Sequence, residues 1–136
     1  MGFDLVTDLS EQQIDELHDL FESEWWTEGR DRTDIETMLD HSDEVIGLRD
    51  SDTGELVAFA RVLTDYVYRA FVFDVIVEES RRGSGLGRRV MDAIVDHPSL
   101  SEVERLELYC SEDQTSFYEQ WGFSTDVGGS RLMRRA

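Results

Sequence analysis

The stretch Phe71-Val72-Phe73-Asp74-Val75-Ile76-Val77-Glu78-Glu79-Ser80-Arg81-Arg82-Gly83-Ser84-Gly85-Leu86-Gly87-Arg88-Arg89-Val90-Met91-Asp92-Ala93-Ile94-Val95-Asp96 decides how the rest of the chain is read. Its first seven residues are β-branched and aromatic, the pattern of a buried strand. Further on, Leu86, Val90, Met91, Ile94 and Val95 recur at helical spacing. Between strand and helix stand Gly83, Gly85 and Gly87 with Arg81, Arg82, Arg88 and Arg89. A strand that runs through a Gly-rich turn into a helix makes an anion site, because unpaired backbone N–H groups and the positive end of the helix dipole converge there. Glycine lets a phosphate approach the backbone, and arginine adds charge-assisted bonds.

The phosphate ligand is narrowed by what is missing. A Walker loop needs lysine before Ser/Thr, and the chain contains no lysine. A dinucleotide fingerprint starting at Gly83 would need its third glycine where Arg88 stands. The pattern present is Arg82-x-x-Gly85-x-Gly87 directly after a strand, with Phe117-Tyr118-Glu119-Gln120-Trp121-Gly122-Phe123 further downstream. The first motif resembles the pyrophosphate loop of the GCN5-related N-acetyltransferase (GNAT) family. The second resembles that family's late Phe-Tyr-x-x-x-Gly-Phe segment. More loosely, the likeness extends from Leu56 to Phe123.

The resemblance implies an α/β (α+β) fold: a mixed, mostly antiparallel central sheet flanked by helices, with strands 4 and 5 splayed around a pantetheine arm. It also implies acetyl-CoA as cosubstrate. Backbone groups of Ile76 and Val77 would meet pantetheine, and Arg82, Gly83, Ser84, Gly85, Leu86, Gly87 and Arg88 would meet pyrophosphate. Tyr118 takes the family's general-acid position, and a phenol can donate a proton to a departing thiolate. For the general base the residues leave Asp74, Asp65 and Glu79 open, Asp74 first because it lies in the strand facing the cleft. Arg61, Tyr66, Tyr68 and Arg69 fall where an acceptor would approach, and arginines in a cleft suit an acceptor bearing a carboxylate. Trp25 and Trp26 either touch substrate or cover the core. A homodimer is one assembly the family uses.

A chain of 136 residues fits one domain over 1–136 with a single core. The 31 acids against 13 bases give a net charge of −18, and every base is arginine. Such a surface repels nucleic acid and anionic membrane. The acids are spread along the whole chain, which favours adaptation to a high-salt organism over one dedicated cationic substrate. With no signal-like N-terminus and no long apolar run, a cytoplasmic location is expected. His18, His41 and His97 lack ligand spacing with one another or with Cys110, so no metal is expected. Ser84 lacks the Gly-x-Ser-x-Gly setting of a hydrolase elbow. Cys110, the only cysteine, reads as a buried small hydrophobe at a strand end.

Along the chain the pattern predicts a strand at Phe3–Val6 and a helix from Ser10 to about Glu24, with Gln13 completing a capping box. A second helix is expected after a Thr33 cap. A hairpin follows over Glu44–Arg49 and Glu55–Leu63 around Asp50–Gly54. Later elements are strands at Ala70–Val77 and Arg105–Cys110, a helix at Glu112–Trp121, and one or two final strands between Phe123 and Arg134. The function expected is direct acetyl transfer to a primary amine of a small molecule or peptide. The alternatives are a non-catalytic acetyl-CoA-binding or interaction module on the same fold, and an interaction protein that binds no CoA.

Overall fold

The computed structural model describes residues 2–136. In chain order it contains β1 (Phe3–Val6), α1 (Glu11–Glu22), α2 (Arg32–Asp40), β2 (Glu44–Asp50), β3 (Leu56–Thr64), β4 (Arg69–Val77), α3 (Leu86–Val95), β5 (Arg105–Glu107) and α4 (Thr115–Glu119). The sheet runs β1-β2-β3-β4-β5 in sequence order. Its first four strands are antiparallel, and β5 lies parallel to β4 after the crossover through α3.

α1 begins where its cap chemistry puts it. The Ser10 side chain accepts the Gln13 N–H, and the Gln13 side chain accepts the Ser10 N–H in return. For α2 the cap is Asp31 in place of the expected Thr33: Asp31 accepts the Thr33 N–H, so the helix starts at Arg32. Asp50 organises the β2–β3 turn by accepting the N–H groups of Asp52 and Thr53 at 2.8 and 3.3 Å.

Two apolar layers sandwich the sheet. On one face Leu17, Leu20 and Phe21 of α1 and Ile35 of α2 pack on Leu56, Phe59 and Ile76. Phe21 meets Phe59 edge to face with centroids 5.9 Å apart. On the other face Leu86, Val90, Met91 and Ile94 of α3 cover Ile46, Leu48, Ala58, Ala60, Val62 and Val72. The helical spacing read from residues 86–95 therefore has its physical counterpart in this buried stripe.

Two features place the candidate site. First, β4 and β5 pair over only three positions, Arg69–Phe71 with Arg105–Glu107, and then part. This is the splay the resemblance implied. Second, the β3–β4 register shifts between Phe59 and Arg61, and at that irregularity Asp74 takes φ +58. Aspartate tolerates the left-handed region better than most residues, and a bulge re-aims a side chain.

The C-terminal third departs from the sequence reading. The strand expected to reach Cys110 ends at Glu107, and the helix expected over Glu112–Trp121 is a 3₁₀ turn at Glu112–Gln114 followed by the single turn and a half of α4. Between Phe123 and Arg134 no strand forms among the described residues. This tail carries Gly128, Gly129 and a run of exposed residues that includes Leu132 and Met133, so it buries too little apolar surface to order a strand.

Candidate functional site

The loop between β4 and α3 is built to present backbone donors. A 3₁₀ turn spans Glu79–Arg81, then Gly83 and Gly85 adopt φ +83 and +85 around Ser84. Only glycine enters that region without strain. The first bond of α3 runs from the Arg89 N–H to the Gly85 carbonyl. The N–H groups of Gly83, Ser84, Gly85, Leu86, Gly87 and Arg88 meet no acceptor among the described residues. Gly87 has a different reason to be glycine: a Cβ there would come within 3.3 Å of Phe117 Cζ. The start of α3 and the late aromatic segment are thus packed against one another, which joins the two motifs in space.

Side chains around the loop are less free than the sequence suggests. Arg81 donates to Asp50 at 2.8 Å, and Arg82 pairs with Glu24 while its Nε donates to the Val77 carbonyl at 3.2 Å. Arg88 meets only the neutral side chain of Gln120, and Arg89 the Phe3 carbonyl. Two of the four arginines are therefore neutralised by carboxylates, and the charge left for an anion sits on Arg88 and Arg89. Of the two strand residues proposed for pantetheine, Val77 fits better. The Glu78 N–H bonds Val57 across the β3 side, so strand alternation turns Ile76 toward β3 and Val77 toward the gap.

Tyr118 lies on α4, its ring edge-on to Phe117 and Phe123 at 5.0 and 6.2 Å. Its hydroxyl bonds no group among the described residues. Burial, helped by the nearby Cys110, pushes its pKa up to about 12, so the phenol keeps its proton at neutral pH. It lines a groove of about 580 Å³ shared with Phe71, Tyr109, Cys110, Trp121 and Phe123. Cys110 is exposed, not the buried hydrophobe expected, because β5 stops three residues short of it.

Asp74 is held by two arginines. Arg61 Nε donates to its Oδ2 at 2.8 Å, and Arg30 grips both oxygens at 2.8 and 3.1 Å. Burial by itself would raise this carboxyl, but the two guanidiniums outweigh it and hold the carboxyl below the ordinary carboxylate value. A carboxylate so paired has little affinity for a proton, which disfavours Asp74 as base and favours a positioning role. Arg30 stands in the α1–α2 connection, and no sequence spacing ties it to residue 74. Of the other base candidates, Asp65 accepts the N–H groups of Arg69, Val67 and Tyr68 and so shapes its own loop. Glu79 lies exposed in the 3₁₀ turn.

The acceptor-side residues sort themselves. Arg69 pairs with Glu107, and Tyr66 bonds Glu44. Tyr68 is exposed, and Arg61, its Nε bonded to Asp74, rests on Phe73 at 4.8 Å. Trp25 is 85 % exposed, which rules out the core-covering role for it; buried Thr27, bonded to the Phe21 carbonyl at 2.7 Å, anchors that connection instead. Among the described residues no group of three His, Cys, Asp or Glu is placed to hold a metal ion, and no helix is long and apolar enough to cross a membrane.

The splayed β4–β5 pair and the Gly-rich loop that follows β4 define the class of fold. The model of the acetyltransferase (GNAT) family matches residues 11–123, and the chain belongs to that family. GCN5-related N-acetyltransferase 1, chloroplastic, of Arabidopsis thaliana is 30% identical over 97% of this chain and 66% of its own length. Serotonin N-acetyltransferase 2, chloroplastic, of Oryza sativa is 40% identical over 73% of this chain and 50% of its own. The chain thus spans half to two thirds of the length of these relatives. A solved GNAT-family structure from Xanthomonas campestris superposes with a TM-score of 0.86 at 31% identity, covering 100% of this chain and 94% of that one.

Proposed function

We propose that the chain is an N-acetyltransferase that moves the acetyl group of acetyl-CoA directly to a primary amine of a small molecule or peptide. One observation carries the cofactor part: six consecutive N–H groups, Gly83 to Arg88, stand without acceptors at the start of α3. Pyrophosphate is the anion whose several oxygens suit such a row. The cofactor supplies an activated acetyl thioester. Arg88 and Arg89 supply positive charge, Val77 presents backbone polar groups to the β4–β5 gap, and Tyr118 holds a proton for the thiolate sulfur as the carbon–sulfur bond breaks. The amine nitrogen adds to the thioester carbonyl carbon before the carbon–sulfur bond breaks, and the proton the amine loses to water is balanced by the one Tyr118 regains from water. Asp74 positions Arg30 and Arg61. One domain over residues 1–136 carries all these groups, in the cytoplasm, acting alone or as a homodimer; the plastid location in the relatives' names is said of those proteins.

Calorimetric titration with acetyl-CoA, in molar KCl and at low salt, tests this in wild type and Gly85→Glu. A side chain at φ +85 is strained and its charge opposes pyrophosphate. The expected result is binding by wild type and none by the variant, both folded. Failure of wild type to bind in either salt removes the acetyltransferase reading and leaves an interaction protein. Binding without acetylation of any amine, together with a Tyr118→Phe variant indistinguishable from wild type, would support the non-catalytic module.

A further inference from the structure

The cluster around Asp74 is not balanced. Two guanidiniums, Arg30 and Arg61, share one carboxylate, so the cluster carries one net positive charge inside a chain of net charge −18. Water does little to relieve it on the Arg61 side, whose side chain is 16% exposed against 7% for Asp74. Arg61 spends only its Nε on Asp74. Its Nη1 and Nη2 donate to no group among the described residues. Among the described residues no fully buried side-chain nitrogen or oxygen lacks a partner, so these two nitrogens are not sealed from solvent. A planar pair of donors, largely shielded from water and uncommitted, matches the two oxygens of a carboxylate.

The surroundings narrow the ligand further. Arg61 lies over Phe73, whose ring stacks on Phe71 at 4.8 Å. Tyr109 packs on Phe71 and Phe73 at 5.7 and 6.3 Å and is 55 % exposed. Phe71 and Tyr109 also line the groove that contains Tyr118. One continuous aromatic wall therefore links the free edge of Arg61 to the proposed proton donor.

We infer that Arg61 is a specificity residue of the acceptor site and that the acceptor amine carries a carboxylate, an aromatic α-amino acid being the simplest fit. This rests on the acetyltransferase reading above. The free Nη edge receives the carboxylate, and the acceptor's ring lies on the aromatic wall. Asp74 keeps Arg61 from turning into solvent by holding its Nε.

The test uses L-tryptophan and tryptamine, which differ only in the carboxylate, on wild type, Arg61→Gln and Arg61→Lys. Binding is measured by calorimetry on CoA-saturated protein, and kcat/KM by thiol release from acetyl-CoA, in moderate salt. Wild type is expected to favour tryptophan by roughly tenfold or more, the scale of one charge-assisted pair. Arg61→Gln should reduce that ratio to near one, and Arg61→Lys, which keeps charge without the planar fork, to an intermediate value. If Arg61→Gln does not fold, Arg61→Lys decides: undiminished selectivity overturns the inference. Equal or weaker handling of tryptophan by wild type overturns it, as does a preference that survives Arg61→Gln. Wild type that binds no acetyl-CoA overturns the acetyltransferase function itself, a separate outcome measured first.

Discussion

Tyr118 and Asp74 show how environment assigns roles to residue types. Burial keeps the Tyr118 phenol protonated, its pKa pushed up to about 12 from 10.0. Its proton is therefore available through the neutral range, and no alkaline loss of kcat from this group is expected below about pH 10. Tyr118→Phe should lower kcat by about 10²-fold with acetyl-CoA affinity retained, as measured by steady-state thiol release and calorimetry. Asp74 is the opposite case. Its carboxyl lies below the ordinary value of 3.8, because two arginine bonds outweigh the burial that would raise it. A depressed carboxyl contributes stability above its unfolded value and loses it as pH falls through the folded one. Acid unfolding of wild type should therefore be steeper below pH 4 than that of Asp74→Asn. At neutral pH, Asp74→Ala leaves Arg30 and Arg61 facing each other and should cost about 3 kcal/mol in a urea titration.

At the scale of elements, the β4–α3 unit holds the loop proposed for the cofactor, and the β2–β3 turn braces it. Asp50 closes that turn and also receives Arg81 from the loop, so the two loops hold each other. The bond from the Asp52 N–H first, then the one from Arg81, keeps the Asp50 carboxyl low. The start of α3 is held a second way, by the close approach of Gly87 to Phe117. Gly87→Ala should push this ring aside by a few tenths of an ångström, a strain offset by the roughly 1 kcal/mol that alanine gains over glycine inside a helix. The readout is a lowered kcat at a nearly unchanged Tm, since moving Phe117 moves its neighbour Tyr118.

For the whole molecule the dominant fact is charge. Thirty-one acids in 136 residues repel one another and also repel an anionic cofactor. At physiological salt the screening length is about 8 Å, and it shortens further as salt rises. Screening then weakens the repulsion across the surface more than the contacts within the loop. Acetyl-CoA affinity should rise from low to moderate salt, and calorimetry across a KCl series checks it; a monotonic fall would mean that the arginines dominate the field. Folding stability should rise over the same series, read from the Tm.

The sequence by itself determined the order of elements as far as α4, the capping box at Ser10, the hairpin around Asp50, the Gly-rich loop on its strand and helix, and the family. These are local: periodicity, cap chemistry and turn residues act over a few positions, and the two motifs are each contiguous. What only the tertiary structure decided is everything that joins distant positions. Arg30 closes on Asp74 across the fold, Glu24 takes the charge of Arg82, and Phe117 explains Gly87. The last strands anticipated after Phe123 also fell to tertiary context, because a strand needs a partner edge and a face to bury, and that tail finds neither among the described residues. Side-chain partners depend on which surfaces the packed sheet brings together, and a carboxylate's role as base or clamp is set by those partners rather than by its own place in the chain.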